Sequence, residues 1–328
     1  MRTIAITGAG GYIARQLILD LENKHWCERI LGTDIVEPGV QTDKLVFLNG
    51  DIRNDSLYDF WKDQEIDTMV HLAFIVNPIH DEKKMYDVNV NGTLNILKIC
   101  KALKIKHIII ASSGTAYGAW PDNPEFLKED DPIRVFPPKF SYAHHKGIIE
   151  QHCADFRQEH PEVVFNIVRP CVVYGPNTDN YLARYLKNLP VLFLPDGRDP
   201  GLQFIHEDDV AKLFSILIEK KIPGTFNVAG DGTVKISEIA ALIGKRTLKI
   251  PKRLQFALTW LLWHLRVKTV EAPPGIIDYS AYRWVMDTGR AKTILGWQPR
   301  YTSMDALRIM LQTHHFELVG NGSGEVVS

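Results

Sequence analysis

Three side chains in the middle of the sequence could together move a proton. Tyr142 and Lys146 stand four residues apart in "SYAHHK", so a helix would place them on one face, one turn apart. A phenol has a pKa of about 10, too high for a base at neutral pH, but a nearby ammonium favours the phenolate. If Ser113 holds the reacting oxygen, the trio predicts acid–base chemistry at a hydroxyl or keto carbon. An ordinary surface pair is the alternative.

A strand end and a long helix must position this trio. "IIIASSGTAYG" indicates a buried strand that ends at Ser112 and Ser113, and "YAHHKGIIEQHCADFRQEH" indicates a helix. Strand-like and helix-like runs alternate from "TIAIT" up to about residue 175. Such alternation predicts crossovers and a parallel sheet covered on both faces. The expected fold class is therefore α/β, a doubly wound parallel sheet of the Rossmann type with a smaller, mainly helical C-terminal substrate lobe.

The domain boundaries follow from where this alternation loosens. We expect 1–175 to form the nucleotide-binding domain, with 203–230 returning to its sheet. We expect 176–202 and 231–318 to form the substrate-binding lobe. The last stretch, 319–328, has a linker composition and is expected to be a disordered tail.

A glycine turn joins the first strand to the first helix. In "TGAGGYIA", Gly8 and Gly11 let the backbone approach a pyrophosphate at the helix N-terminus. Asp34, at the end of the second strand, can accept the ribose hydroxyls and would repel a 2′-phosphate, so NAD is favoured over NADP. Asp51 could meet the adenine or cap the next helix. With NAD as hydride carrier, Tyr142 would exchange a proton with the substrate hydroxyl.

Composition excludes several other classes of protein. The formal net charge is −1, which gives no bulk electrostatic reason to bind nucleic acid or an anionic membrane. The four cysteines match no metal or disulfide pattern, and "MRTIAITG" shows no signal peptide, so we expect a cytoplasmic protein without a metal. "LQFALTWLLWHL" is too short to span a bilayer. We interpret it as a core helix of the small lobe, with membrane contact through 253–268 as the less favoured alternative.

The ordered motifs "TGAGGYIA", "GTDI", "HLAF", "NVNGTLNIL", "ASSGTAYG", "YAHHK", "RPCVVYGP" and "FIHEDDVA" resemble an extended short-chain dehydrogenase/reductase of the NAD-dependent epimerase/dehydratase type. The resemblance covers nearly the whole chain. It implies the catalytic residues Ser113, Tyr142, Lys146 and Asn89. The implied NAD contacts are Gly8, Gly11, Tyr12, Ile13, Asp34, Asp51, Ile52, Leu72, Ala73, Tyr142, Lys146 and Pro170. We assign the substrate contacts to Ser113, Thr115, Tyr174 and Arg198.

The same resemblance implies a homodimer formed through two long helices, predicted over 82–104 and 141–159. An apolar stripe in these helices is compatible with such an interface, and core packing explains it equally well. Its members are Val88, Leu94, Ile99 and Ile148.

The substrate prediction starts from the residues after Ser113. The dehydratase branch usually carries an acidic pair there, whereas this chain has Gly114 and Thr115, so we favour a UDP-sugar 4-epimerase-like enzyme. Leu202 and Gln203 stand where such enzymes usually place a diphosphate-binding arginine. The candidate replacements are Arg184, Lys187, Arg198 and Arg283.

Two alternatives to the epimerase remain. One is an NAD(P)(H)-dependent dehydrogenase or reductase of a hydrophobic ketone, of the 3-hydroxysteroid or long β-keto acid type. The other is a non-catalytic dinucleotide sensor, which the intact trio of Ser113, Tyr142 and Lys146 disfavours.

Overall fold

The computed structural model describes residues 1–136 and 139–319. The strands, numbered β1 to β11 in chain order, are Arg2–Thr7, Cys27–Asp34, Leu45–Asn49, Ile66–His71, His107–Ala111, Val164–Pro170, Val172–Tyr174, Val191–Pro195, Phe204–His206, Gly224–Val228 and Arg246–Ile250. The helices, α1 to α12, are Tyr12–Glu22, Ser56–Trp61, Glu82–Tyr86, Gly92–Ala102, Ser141–Glu159, Tyr181–Asn188, Glu207–Lys220, Ile236–Leu242, Lys252–His264, Ile277–Ala281, Gly289–Leu295 and Ser303–Thr313. A π-helical turn spans Asp87–Asn91, and short 3₁₀ turns span Gly114–Tyr117 and Pro274–Ile276.

A seven-stranded parallel sheet, in the order β10-β6-β5-β4-β1-β2-β3, confirms the predicted Rossmann-type fold. The chain runs outward from β1 to β3 and then returns to the other side of β1 as β4. The crevice at this reversal, outside the carboxyl ends of the strands, is where open α/β sheets bind ligands. β10 lies within the segment 203–230 and pairs with β6 at one edge of this sheet.

Apolar runs explain why the sheet is covered on both faces. Ile4, Ala5 and Ile6 of β1 are all fully buried, as expected for a central parallel strand. On one face α1 packs against α7. On the other face α4 and α5 contribute Ile96 and Ile149 to a second apolar cluster. The ends of β1, β4, β5 and β6 therefore lie between two fixed helical layers.

The C-terminal part contains more strand than its sequence predicted. β8 and β11 pair in parallel, and residues of α8 and α12 such as Ile239 and Met310 pack into a third apolar cluster with Leu192 of β8. The division into a domain and a lobe at residue 175 remains our proposal. Of the tail predicted over 319–328, residues 320–328 lie outside the described residues.

The two helices assigned to a dimer interface have different shapes. α5 is continuous, whereas the helix predicted over 82–104 is α3, the π-helical turn and α4. Ile99 of the apolar stripe is 2% exposed and belongs to the core, and Val88 packs against the same cluster. The homodimer remains a prediction.

The helix predicted to lie in the core of the lobe, α9, instead lies at the surface. Of its thirteen residues, all of which the structure describes, only Trp263 is buried. The prediction was wrong because the apolar side chains of α9 do not share the face that packs against the lobe. Over 1–136 and 139–319, no helix combines the length and apolar composition that crossing a bilayer requires.

One close contact docks the C-terminal lobe on the start of α5. A Cβ atom added to Gly275 would lie 1.9 Å from the carbonyl oxygen of Lys139. We therefore expect Gly275→Ala to lower the free energy of unfolding by about 1–3 kcal/mol, because the lobe or the start of α5 must shift. Urea unfolding measures this change. In the control Gly39→Ala the new Cβ meets only the end of the Arg15 side chain at 3.6 Å, and the change should stay within about 0.5 kcal/mol. Equal losses in the two variants would contradict the prediction.

Candidate active site

The trio singled out from the sequence is brought together beyond the end of β5. Ser113 stands two residues after the end of that strand, and its side chain interacts with Tyr142 near the start of α5. One turn further along α5, the Lys146 ammonium donates to the Ala111 carbonyl at 2.7 Å. Its Nζ lies 5.8 Å from the centroid of the Tyr142 ring and 3.5 Å from that of Phe74. The catalytic roles of the three residues remain proposals.

Burial dominates the electrostatics of this trio. Burial lowers the pKa of Lys146 to about 7, although the Glu150 carboxylate acts in the opposite direction. Burial also raises the pKa of Tyr142, and its interaction with the Ser113 side chain offsets only part of this effect. From the sequence we expected the lysine to lower the pKa of the phenol. In the protein itself desolvation outweighs that effect, so Tyr142 is a neutral phenol at neutral pH.

A buried ion pair that the sequence analysis missed supports the helix that carries Tyr142 and Lys146. Glu150 lies one further turn along the same face of α5, and its carboxylate accepts hydrogen bonds from Arg169 Nε and Nη2 at 2.5–3.1 Å. Ser112 also donates to Glu150, and Arg169 Nη1 donates to the Tyr117 hydroxyl at 2.6 Å. These bonds join β5, β6 and α5. The signal in the sequence was the four-residue repeat from Tyr142 through Lys146 to Glu150.

Asn89, assigned a catalytic role by resemblance, lies fully buried in the π-helical turn. Its Oδ1 accepts from the Ile75 backbone N–H at 2.7 Å, and its Nδ2 lies 3.4 Å from Nδ1 of His145. Asn89 thus connects the segment after β4 to the helix of the trio. His145 is the neighbour of Lys146, so a supporting role for Asn89 remains a reasonable proposal.

The glycine turn fits a dinucleotide. Gly8 has φ of +74°, and a Cβ there would lie 2.5 Å from the backbone nitrogen of Ala73. The turn and the predicted contacts Leu72 and Ala73 therefore lie together. α1 begins at Tyr12 with Gly11 as its N-cap, so no side chain covers its first amides, which suits a pyrophosphate.

Asp34 is held at the rim of this turn. Its carboxylate accepts from the backbone N–H groups of Gly10 at 3.0 Å and Ile35 at 2.7 Å. The side chain stands at the end of β2, beside the turn, which is the position a ribose-binding acid requires. The residues present thus fit NAD.

The remaining predicted NAD contacts lie in different surroundings. Asp51 pairs with Arg53 at 2.5 Å, which lowers the pKa of Asp51, and it does not cap α2, whose N-cap is Asp55. Ile52 is a core residue, 4% exposed. The other two sit where the fold allows contact: Ile13 is half-buried in the first turn of α1, and Pro170 ends β6.

Four more tyrosines lie near Tyr142, and the sequence analysis missed two of them, Tyr181 and Tyr279. Both interact electrostatically with Tyr142. The other two are Tyr12, which also interacts with Tyr142, and Tyr174, which interacts with Tyr181. Burial raises the pKa of each, so all present neutral hydroxyls at neutral pH. The Tyr279 hydroxyl donates to the Thr115 carbonyl at 2.8 Å, while Thr115 Oγ1 donates to Ser113 at 2.9 Å.

A buried carboxyl group, Glu207, was also missed. It is fully buried at the start of α7 and interacts electrostatically with Tyr12. Oε1 accepts from Gln16 at 3.1 Å and from Asn177 at 2.5 Å, whereas Oε2 has no hydrogen-bond partner among the described residues. Burial raises the pKa of Glu207. The acidic run "HEDD" that contains it gave no sign of which carboxyl would point inward.

The cationic candidates for a diphosphate differ in their surroundings. Arg184 pairs with Asp179 and Glu271, and Arg283 lies 3.8 Å from Glu125. Lys187 and Arg198 are exposed, and the Arg198 guanidinium lies 5.3 Å from the centroid of the Tyr282 ring. Gln203 is not directed at a ligand, because it exchanges two hydrogen bonds with the Met286 backbone, at 3.0 and 2.7 Å.

Comparison with known proteins agrees with this geometry. The model of the NAD dependent epimerase/dehydratase family matches residues 4–229. An uncharacterized protein of Mycobacterium tuberculosis is 27% identical over 93% of this chain and 82% of its own length. A putative UDP-glucose 4-epimerase of Methanocaldococcus jannaschii is 28% identical over 64% of this chain and 71% of its own. The crystal structure of Thermus thermophilus UDP-glucose 4-epimerase with NAD superposes with a TM-score of 0.73 at 22% identity, covering 96% and 98% of the two chains.

Asp34 provides a test of cofactor choice. We expect Asp34→Ala to weaken NAD binding by roughly tenfold while NADP binding changes little or improves, because the ribose loses two hydrogen bonds and the 2′-phosphate loses a repulsive charge. Isothermal titration with both nucleotides measures the ratio of affinities. Asp20→Ala, on the far end of α1, is the control. An unchanged ratio in Asp34→Ala would refute the assignment.

Glu150 provides a test of how the site is tuned. Its charge keeps the pKa of Lys146 from falling further, so Glu150→Gln should move the titration of Lys146 to lower pH. NMR of lysine-labelled protein, with Lys146→Met to assign the signal, measures this shift. The variant should also lose about 3–5 kcal/mol of stability, because Arg169 is left without its carboxylate.

The matched control is Ser112→Ala, which removes a hydrogen bond to Glu150 but retains its charge. Its Lys146 titration should stay at the wild-type pH. A purely structural role for Glu150 would leave the titration unchanged in both variants.

Proposed function

This chain belongs to the NAD-dependent epimerase/dehydratase family, and we propose that it is a UDP-sugar 4-epimerase-like enzyme acting on a secondary hydroxyl through Ser113, Tyr142 and Lys146. The observation that carries the proposal is the buried Lys146 ammonium, whose Nζ lies 5.8 Å from the centroid of the Tyr142 ring, beside Ser113. The relatives named as UDP-glucose 4-epimerases support the substrate class.

Each residue of the trio has a distinct task in this proposal. NAD, when bound, accepts and returns the hydride and adds a positive charge to the site. Tyr142 takes the proton of the substrate hydroxyl during oxidation and gives it back during reduction. Ser113 and Thr115 orient the reacting oxygen, and the charged form of Lys146 stabilises the phenolate.

The surrounding tyrosines suit a polyhydroxylated substrate. Neutral phenol groups donate and accept hydrogen bonds without adding charge, and the tyrosines near Tyr142 supply such groups from both the nucleotide-binding domain and the lobe. We assign Tyr174 to the sugar-binding wall and Arg198 to the diphosphate. The Arg198 side chain is exposed, so it can reach an arriving phosphate.

One observation favours a second candidate, a dehydrogenase or reductase of a hydrophobic ketone. Gln203, where a diphosphate-binding arginine was expected, holds the Met286 backbone. The Met286 sulfur packs so closely on Gly114 that a Cβ there would lie 2.5 Å away. The wall beside Ser113 therefore includes a thioether, which suits an apolar substrate better than a phosphate.

Nucleotide release and turnover distinguish the two candidates. We expect protein denatured after purification to release about one NAD per chain, and the native protein to interconvert UDP-galactose and UDP-glucose without net NADH formation. A protein that carries no nucleotide, but oxidises NADH with a ketosteroid or a long β-keto acyl compound, would establish the second candidate instead.

Tyr142→Phe tests the assigned proton carrier. We expect the variant to retain its NAD and to lose about 10²–10⁴-fold in kcat, because the phenyl ring cannot exchange the proton. Tyr58→Phe, at an exposed tyrosine on α2, is the matched control and should turn over normally. Full turnover by Tyr142→Phe would exclude Tyr142 as the proton carrier, and NAD binding without turnover on either substrate class by the wild type would favour the dinucleotide sensor.

A further inference from the structure

Helix α9 carries an apolar stripe on its outward face. Five leucines that share one face of the helix form this leucine stripe, and each is between 36% and 66% exposed. They are Leu254, Leu258, Leu261, Leu262 and Leu265. Phe256 and Trp260, on other faces of α9, are 41% and 48% exposed. Exposed apolar patches of this kind mark interaction sites on soluble domains.

The opposite face of α9 is fixed to the rest of the protein. The Trp263 ring stacks on His80 with centroids 3.9 Å apart, and Lys252 Nζ pairs with Asp278 at 2.6 Å. Gln255 and Thr259 are half-buried on the same face. Three polar residues of α9, Lys252, Gln255 and Thr259, thus face the protein while its leucines face away, the reverse of an ordinary surface helix. A small rotation of α9 cannot bury the stripe without breaking these contacts.

The segment that contains α9 is strongly basic. The segment 245–270 contains seven lysines and arginines and no acidic residue, so it carries +7. The chain as a whole carries −1, which leaves −8 on the remainder. Within this segment Arg253, Arg266 and Lys268 are exposed at the two ends of α9. The net charge of the whole chain gave no reason to expect binding to an anionic surface, but the positive charge of this segment favours it.

We propose that α9 is a membrane-docking helix that lies in the interface of an anionic lipid bilayer. Thirteen residues make a helix about 20 Å long, which can lie in the plane of the interface but cannot cross it. The leucine stripe enters the acyl boundary, Trp260 lies at headgroup level, and the basic residues at both ends contact anionic headgroups.

Charge argues for a lipid surface over a second copy of this chain. Pairing of the stripe with the same stripe of another molecule would bring two segments of +7 together, and like charges at an interface oppose association. An anionic bilayer satisfies both the leucines and the cations. The inference does not depend on which substrate the active site takes.

Vesicle flotation tests the docking helix. The wild-type protein is mixed with vesicles of equal parts phosphatidylglycerol and phosphatidylcholine, or of phosphatidylcholine alone. We expect flotation with the anionic vesicles only, and a fall in the bound fraction when salt rises from about 0.1 M to about 0.5 M, because ions screen the headgroup contacts. The double variant Leu258→Glu/Leu261→Glu should bind the anionic vesicles at least tenfold more weakly.

The matched control is Ile294→Glu, which places a carboxylate at another half-exposed apolar position, on α11. It should float like the wild type, and thermal melting followed by circular dichroism confirms that both variants are folded. The proposal is overturned if the wild type floats with neither vesicle, or if the double variant floats as well as the wild type. It is also overturned if sedimentation shows a wild-type dimer that the double variant dissociates while neither binds vesicles, since the stripe would then join two copies of the chain.

Discussion

The buried pair of Glu150 and Arg169 is the constraint on which the candidate site depends. It joins the middle of α5 to β6, and Ser112 attaches the same carboxylate to the end of β5. Because Tyr142, Lys146 and Glu150 share one face of α5, fixing the third sets where the first two lie relative to Ser113. A buried pair of this kind is tolerable only when its remaining hydrogen bonds are satisfied, and Tyr117 and the Glu129 carbonyl provide them.

The same pair sets the charge of the site as well as its shape. Burial alone would neutralise Lys146, and the Glu150 carboxylate, though it is shared with Arg169, opposes that loss. Lys146 is therefore close to the balance point between its two charge states at neutral pH, while Tyr142 remains a phenol. In this arrangement, small changes in local charge, such as those brought by a bound cofactor, can shift both groups.

The lobe buries one set of apolar side chains and exposes another. Around β8, α8 and α12 its leucines, isoleucines and methionines pack into a buried core. On α9, only a few inward contacts hold the helix while the leucines remain outside. Helix α10 contacts both β8 of this core and α9. The hydroxyl of Tyr279, on α10, also donates to the Thr115 carbonyl in the active-site turn. The proposed docking surface thus lies one helix away from the candidate active site.

The sequence by itself determined the parallel sheet, the glycine turn and the relation of Ser113, Tyr142 and Lys146, because buried runs, strand-end positions and a four-residue spacing are local properties. It did not determine that Glu207, Tyr181 and Tyr279 would turn towards the site. Nor did it show that α9 would expose its leucines, because burial depends on which face of a helix meets the rest of the chain. The tertiary structure also decided the directions in which the pKa values of Tyr142 and Lys146 shift, because desolvation depends on how many neighbours the fold places around a side chain.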